Sequence, residues 1–525
     1  MALPDDEKPA TPRKPLDRDP VPPPRDTIAG VEGRVLDPAT AITVRGVRPR
    51  STVYVGPRLL VSKSVDLDGA LEVLRAVARP LGWDVVPGRE DPRTAGLRFG
   101  VVPLRLVVAS NQATIAPDGW TLLQQTRAQF GVEAVRGVGL EHVVFANPYN
   151  HGHPAGEGNP YNHGHPYNHG HPYNHGHPAT GPVTAYAEAG SGGRQPVAYV
   201  GPAPLRRADE ELPGRRPVVA ILDTGCGSHP WLDGVVDTSV TLDGQPIGFD
   251  ATVADSEVGG DLVGPLDGVI DAMSGHGTFI AGLVHQACPD ADILSWRIMP
   301  SEGPVAESDW ITALSQISEL VRRYRAGEAG GRAIDVLSMS IGYYHETPED
   351  LLFDPTLYAI LEDLARNGTM IVCSAGNDAT SRPAFPAAFA PWSDGQGPVQ
   401  SDPSCLPVVS VAAQNPNGIS DALFSNAGPW VTTQAPGAAL VSTMPPFEGG
   451  LQPVARTEAF GRLRESIDPD DFRGGFAVWS GTSFSAPLFA GRVAAGLLAG
   501  PTADDAASAV ARGWEILGEL ASLTP

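Results

Sequence analysis

A serine set between a Gly-Thr turn and a long apolar run constrains this chain most. Trp479-Ser480-Gly481-Thr482-Ser483-Phe484-Ser485-Ala486-Pro487 leads into residues 486–498, which read as a buried helix. A serine at the mouth of such a helix has its backbone N–H among the unpaired donors of the first turn, where developing negative charge is stabilised. That supplies half of an oxyanion hole. A serine hydroxyl is a weak nucleophile by itself, so the stretch calls for a base and an orienting acid elsewhere.

Both types of residue occur in suitable settings. Residues 217–222 form an apolar strand that ends in Asp223-Thr224-Gly225, and Ser274-Gly275-His276-Gly277-Thr278 opens an apolar segment with glycines on both sides of the imidazole. From residue 215 on, apolar strands (217–222, 292–296, 334–338, 369–374) alternate with helical runs (308–325, 351–367). Such alternation predicts a parallel sheet covered on both faces, with ligands at the carboxyl ends of its strands. Asp223, His276 and Ser483 fall at those ends or at the helix starts that follow.

The order Asp, His, Ser is that of the subtilisin type, and residues 217–500 resemble the subtilisin-like serine proteases in four motif blocks. The resemblance implies that His276 takes the Ser483 proton, that Asp223 fixes the imidazole tautomer, and that an acyl-enzyme forms. Ser374-Ala375-Gly376-Asn377 is similar to the block that supplies a side-chain amide to the oxyanion hole, so Asn377 is the second expected donor, with Ala375 and Gly376 at the substrate. Ser340, Ile341 and Gly342 would pair as an edge with substrate main chain. Tyr343 departs from the second glycine often found there, and Phe484 from the usual methionine. Ala435-Pro436-Gly437 is similar to a further block, and residues 445–473 form a polar insertion between it and the nucleophile, expected near the cleft. Taken singly, Asp223 and Asn377 read as turn residues, His276 as a helix-start residue and Ser483 as a cap. Asp223-Thr224-Gly225 is also the turn of aspartic proteases, but those need two and this chain has one.

With 525 residues the chain exceeds one ordinary core. Residues 1–30 read as a disordered tail and 31–146 as a small α+β domain in the order β-α-β-β-α-β, ferredoxin-like. In the resembling family such a domain is a prodomain whose tail, here 146–150 with Tyr149, would occupy its own catalytic cleft; a recognition domain would look the same. Residues 147–214 read as a flexible linker containing Tyr-Asn-His-Gly-His-Pro four times, which holds eight of the 13 histidines. The repeat suits a spacer, a site for zinc, copper or nickel, or a self-cleavage segment. Residues 215–525 form the expected protease domain.

Net charge is −23, which argues against nucleic acid or an anionic membrane as partner and leaves a protein or peptide substrate. The sequence assigns no oligomeric state. Lysine occurs only at positions 8, 14 and 63 among 37 basic residues, the bias of a GC-rich bacterial genome. The first 25 residues lack a signal-peptide core and no run is long enough to span a bilayer, so a cytoplasmic protein is expected, with non-classical export left open. Cys226, Cys288, Cys373 and Cys405 are spaced as thiols rather than as a disulfide framework. Catalysis by such a triad needs no cofactor. Family members often bind calcium; Asp255, Asp261, Asp267 and Asp271 offer carboxylates, but their spacing matches no calcium loop. The rival function is a metal-binding or scaffold module on a silenced protease fold.

Overall fold

The structure is a computed structural model, and it describes residues 19–43, 49–109, 115–146, 186, 192–250, 255–264, 266, 268–301, 303–347, 355–450, 456–465, 472–500, 502–503 and 505–525. The four histidine-rich repeats, Tyr149 and Asp267 lie outside the described residues.

The amino-terminal unit comprises β1 (Thr52–Ser62), α1 (Leu67–Ala78), β2 (Trp83–Pro87), β3 (Val101–Val108), α2 (Gly119–Phe130) and β4 (Val138–Ala146). Its strands lie in the order β4-β1-β3-β2, every pair antiparallel, the ladder expected of a ferredoxin-like domain. Alternation along β1 explains its two faces. Leu59 and Val61 join Leu71, Leu74, Trp83, Trp120 and Leu123 in the unit's own core, whereas Leu60, with Val101 and Val144, joins the core of the larger unit.

The larger unit is built on β5 (Val218–Asp223), α3 (His276–Ala287), β6 (Asp292–Arg297), α4 (Glu307–Arg325), β7 (Val336–Met339), α5 (Pro355–Arg366), β8 (Met370–Ser374), β9 (Val408–Gln414), β10 (Thr433–Pro436), β11 (Phe476–Trp479), α6 (Thr482–Leu498) and α7 (Ala506–Ala521). The order β10-β9-β8-β7-β5-β6 is parallel throughout, with Val236–Asp237 at the far edge. Val218, Ala220 and Leu222 pack with α4 and α5, and Val219 and Ile221 with α3, α6 and α7. Both faces are therefore dry, which is why these strands read as unbroken apolar runs. The chain order reverses at β5, so the carboxyl ends of β5 and β7 flank the topological switch point where α/β sheets bind ligands.

Two boundaries differ from expectation. The tail does not extend to residue 30, because Ile28 is buried and Asp19 pairs at 3.0 Å with the fully buried Arg382. Nor does the linker run flexibly to 214. Gln195–Val197 adds a strand to β11, and the buried Arg194 donates to the carbonyls of Ile270, Asp271, Ala272 and Ser274 at 2.9–3.3 Å, with its guanidinium 4.8 Å from the Trp479 ring. Glycine and proline make this segment resemble a linker, yet one arginine ties it to four backbone carbonyls of the loop before His276.

Candidate active site

Asp223 ends β5 and His276 begins α3, and both are fully buried. His276 Nδ1 lies 2.6 Å from Asp223 Oδ1, which also accepts from Thr224 N at 2.8 Å. Only glycine fits on either side of the imidazole. A Cβ on Gly277 would stand 2.0 Å from the Gly225 carbonyl, and one on Gly275 2.4 Å from Met444 Sδ, with φ of +81° there besides. The ring is boxed by Phe484 and Trp479, whose centroids lie 5.3 and 5.6 Å away. Phe484 thus packs directly on the His276 ring.

Ser483 occupies the first turn of α6 and is also fully buried. Pro487, four residues on, has no N–H to give to the Ser483 carbonyl. The Ser340 hydroxyl donates to that carbonyl instead, at 2.8 Å. Ser483 Oγ lies 3.5 Å from the Ser340 carbonyl, and His276 Nε2 has no hydrogen-bond partner. In this state the hydroxyl is directed to the Ser340 carbonyl rather than to the imidazole.

Asn377 follows β8. Its Oδ1 accepts from Thr482 N at 3.0 Å and Thr482 Oγ1 at 2.9 Å, which leaves its NH2 as the donating end beside the start of α6. Behind it, the Asn426 amide donates to the Ala375 carbonyl at 2.9 Å, and its oxygen accepts from Asp378 N at 3.0 Å. Gly376 has φ of +101°, and a Cβ there would meet Asn426 Nδ2 at 2.3 Å.

Ile341–Gly342 forms a strand, and its partner comes from the same chain. β4 pairs with it antiparallel, Ile341 against Ala146 and Gly342 against Phe145, and continues along Val305–Ala306. Tyr343 stacks on His142 of β4 at 4.4 Å. His142 is buried between two carboxylates, Nδ1 at 2.7 Å from Glu307 and Nε2 at 2.9 Å from Glu346. Burial pulls this imidazole down, but the two carboxylates outweigh it and push it up to about 10. His345 is pulled down to about 4, by burial first.

His142, His345 and Glu346 are also the group among the described residues with the reach to hold a metal. Of the described aspartates in this loop, Asp261 and Asp271 accept backbone N–H groups of Gly268, Leu262 and Val263, and Asp255 pairs with Arg297 at 3.4 Å. The insertion is anchored at its base by the buried Phe447 and Phe472, and Ile270 N donates to the Gly450 carbonyl at 2.9 Å, beside the loop that leads to His276. Its described middle is a hairpin, Arg456–Ala459 with Arg462–Glu465, with Phe460 exposed at the tip. All four cysteines are thiols. No helix among the described residues is long and apolar enough to cross a membrane.

The sequence did not single out Glu257, which lies against both the Asp223 turn and the His276 helix start. A lone glutamate in an aspartate- and glycine-rich stretch gives no pattern from which to find it. Arg194, His142 and Glu307 were equally silent, since none belongs to a local motif.

A doubly wound parallel sheet carrying an aspartate, a histidine and a serine at one end is the architecture of the subtilisin-like serine proteases. The family model for Peptidase S8, the subtilase family, matches residues 214–507, and the chain belongs to that family. It is similar to the major intracellular serine protease of Bacillus subtilis, 27% identical over 247 residues that cover 44% of this chain and 61% of that protein. Mycosin-4 of Mycobacterium tuberculosis is 28% identical over 294 residues, 53% of this chain and 54% of that protein. The chain thus spans less than two thirds of the length of these relatives. A crystal structure of a cold-adapted subtilisin-like serine proteinase aligns with 58% of this chain and 82% of its own, at 18% identity and a TM-score of 0.36.

Proposed function

We propose that the chain is a serine endopeptidase that its own amino-terminal unit holds in check. The observation that carries the catalytic reading is the 2.6 Å contact between His276 Nδ1 and Asp223, with the other imidazole nitrogen unpartnered and Ser483 at the neighbouring helix start. Once Ser483 Oγ turns to Nε2, His276 takes its proton as the hydroxyl attacks a peptide carbonyl, and later returns it to the leaving amine. Asp223 holds the tautomer, and Asn377 with the backbone at the start of α6 stabilises the oxyanion. Ser340, Ile341, Gly342, Ala375 and Gly376 bind the substrate main chain.

The inhibitory reading is supported by β4 lying on the Ile341–Gly342 edge, where a peptide substrate would add its strand. A recognition domain has no need to cover that edge. We further place the protein in the cytoplasm, a reading supported by the four thiols and by a relative named as intracellular. No metal or cofactor takes part in the proposed chemistry.

A fluorophosphonate probe tests the reading. Labelling at Ser483 that speeds up when residues 31–146 are displaced is the expected result. A chain that never labels, with or without that unit, would return the fold to a scaffold role.

A further inference from the structure

We propose that Glu257 is a positioning residue for Asp223 and His276, a buried carboxylate that ties the end of the acid's strand to the start of the base's helix. The inference rests on the triad reading above. Glu257 is 3% exposed and lies in the loop between β5 and α3. Oε1 accepts from the Thr224 hydroxyl, one residue past Asp223, and from Gly277 N at 3.1 Å, one residue past His276. Oε2 accepts from Thr278 N at 3.3 Å and from the Thr278 hydroxyl. One side chain therefore gathers two hydroxyls and two N–H groups of a helix start, drawn from the two elements that carry the acid and the base.

The contact reaches the acid through a single proton. Thr224 Oγ1 accepts from Gly277 N at 2.8 Å and has one hydrogen to give, with two acceptors in range: Glu257 Oε1 and, at 3.1 Å, Asp223 Oδ1. With Glu257 ionised, that hydrogen goes to Glu257, and Asp223 Oδ1 keeps Thr224 N and His276 Nδ1 as donors. With Glu257 protonated on Oε1, that O–H donates to Thr224 Oγ1 and the Thr224 hydrogen is released to Asp223. The donor count on the oxygen that orients the imidazole thus follows the state of Glu257.

That state changes in the working range of an imidazole base. Burial raises the Glu257 carboxyl, its threonine and Gly277 hydrogen bonds oppose this, the Asp223 charge adds to it, and the group comes to about 7. The titratable groups around it are Asp223 and Cys226 at the strand end, His276 at the helix start, and Asp255 in its own loop, which Arg297 pairs. Cys226 is pushed far up by burial and by the Glu257 charge, so it stays a neutral thiol.

The test uses the full chain and measures the rate of Ser483 labelling by a fluorophosphonate from about pH 5 to about pH 9, with the downfield Nδ1 proton resonance of His276 and the melting temperature. Since every variant keeps the amino-terminal unit, ratios to wild type cancel its effect. Glu257→Gln puts an amide NH2 against N–H and O–H donors and removes a negative charge near the imidazole. Labelling should fall about tenfold or more, the acidic limb should move to lower pH, and the Nδ1 resonance should shift. Glu257→Asp retains the charge, so it should restore the wild-type midpoint while labelling more slowly, and it decides the matter if the glutamine variant does not fold. A wild-type rate and midpoint in the glutamine variant, or a lowered melting temperature alone, overturns the proposal. Wild-type rate in the aspartate variant does the same where that variant decides. Wild-type chain that does not label, whether or not its amino-terminal unit is displaced, overturns the triad reading and this proposal with it.

Discussion

His142 Nδ1 stands 2.7 Å from Glu307 Oε2, so a histidine of the small unit's last strand is locked to the first turn of a helix of the large unit. Glu346 closes on the other ring nitrogen at 2.9 Å, and His345, Tyr343 and Arg382 complete the surroundings. Because the docked His142 is raised to about 10 from the ordinary 6.5, its contribution is fully present below pH 6.5 and is lost as pH climbs through about 10. Alkaline conditions should loosen the small unit. The check is the ratio of Ser483 labelling in His142→Gln to that in wild type: well above one at neutral pH and falling toward one near the alkaline limit. A ratio that does not change with pH would remove His142 from the docking balance.

The pairing of β4 with Ile341–Gly342 makes a second prediction. Replacing Phe145 and Ala146 together by proline removes both N–H groups of the paired segment while the rest of β4 still pairs with β1. Labelling of Ser483 should rise by about tenfold or more, since a lost pair of ladder bonds costs on the order of 1–3 kcal/mol of docking. Unaltered labelling would mean that the edge is not what limits access.

Much of this was legible in the sequence because it is local. The small unit's order emerged from strands such as β1 and β3, whose apolar residues alternate with turns between them, and the large sheet from β5 and β8, which are apolar on both faces. The Asp223, His276 and Ser483 blocks carry glycine signatures whose reasons are now visible in the contacts of Gly277 with Gly225 and of Gly275 with Met444. What was not legible depends on distance along the chain. Arg194 meets carbonyls some 80 residues on, His142 meets Glu307 at a separation of 165, and Glu257 touches two elements that a sequence pattern treats as separate. Composition misled at 192–214 for the same reason, since glycine and proline report local stiffness and say nothing of a remote surface that binds the segment.

Arg194 yields a third prediction. Arg194→Ala would leave the Ile270, Asp271, Ala272 and Ser274 carbonyls without their shared donor and remove the cation from the face of Trp479. Burial already pulls this guanidinium down to about 10, with Asp271 opposing. Denaturant melts should show a loss on the order of 2–4 kcal/mol, and labelling should fall because the loop before His276 is no longer held. A stability change within about 0.5 kcal/mol would return this segment to the status of a loose connector.

Ser483→Ala and Asn377→Ala test the proposed nucleophile and the proposed oxyanion donor separately. Ser483 lies at the head of α6, whose other residues (Phe484, Phe489, Val493) are buried in the core, so deleting its hydroxyl should leave the melt unchanged and abolish hydrolysis of a peptide substrate. Asn377→Ala removes one of two donors and should retain a measurable rate, lower by about a hundredfold or more in kcat with KM nearly constant. Since Asn377 Oδ1 also holds Thr482 N and Oγ1, the same change could act by loosening the start of α6. Asn377→Asp keeps an acceptor for Thr482 and lacks the NH2, so it should restore the melt and leave kcat low. Recovery of kcat in that variant, or a loss confined to KM, would make Asn377 a turn residue that supports Ser483 and would leave the backbone at the start of α6 as the sole oxyanion donor.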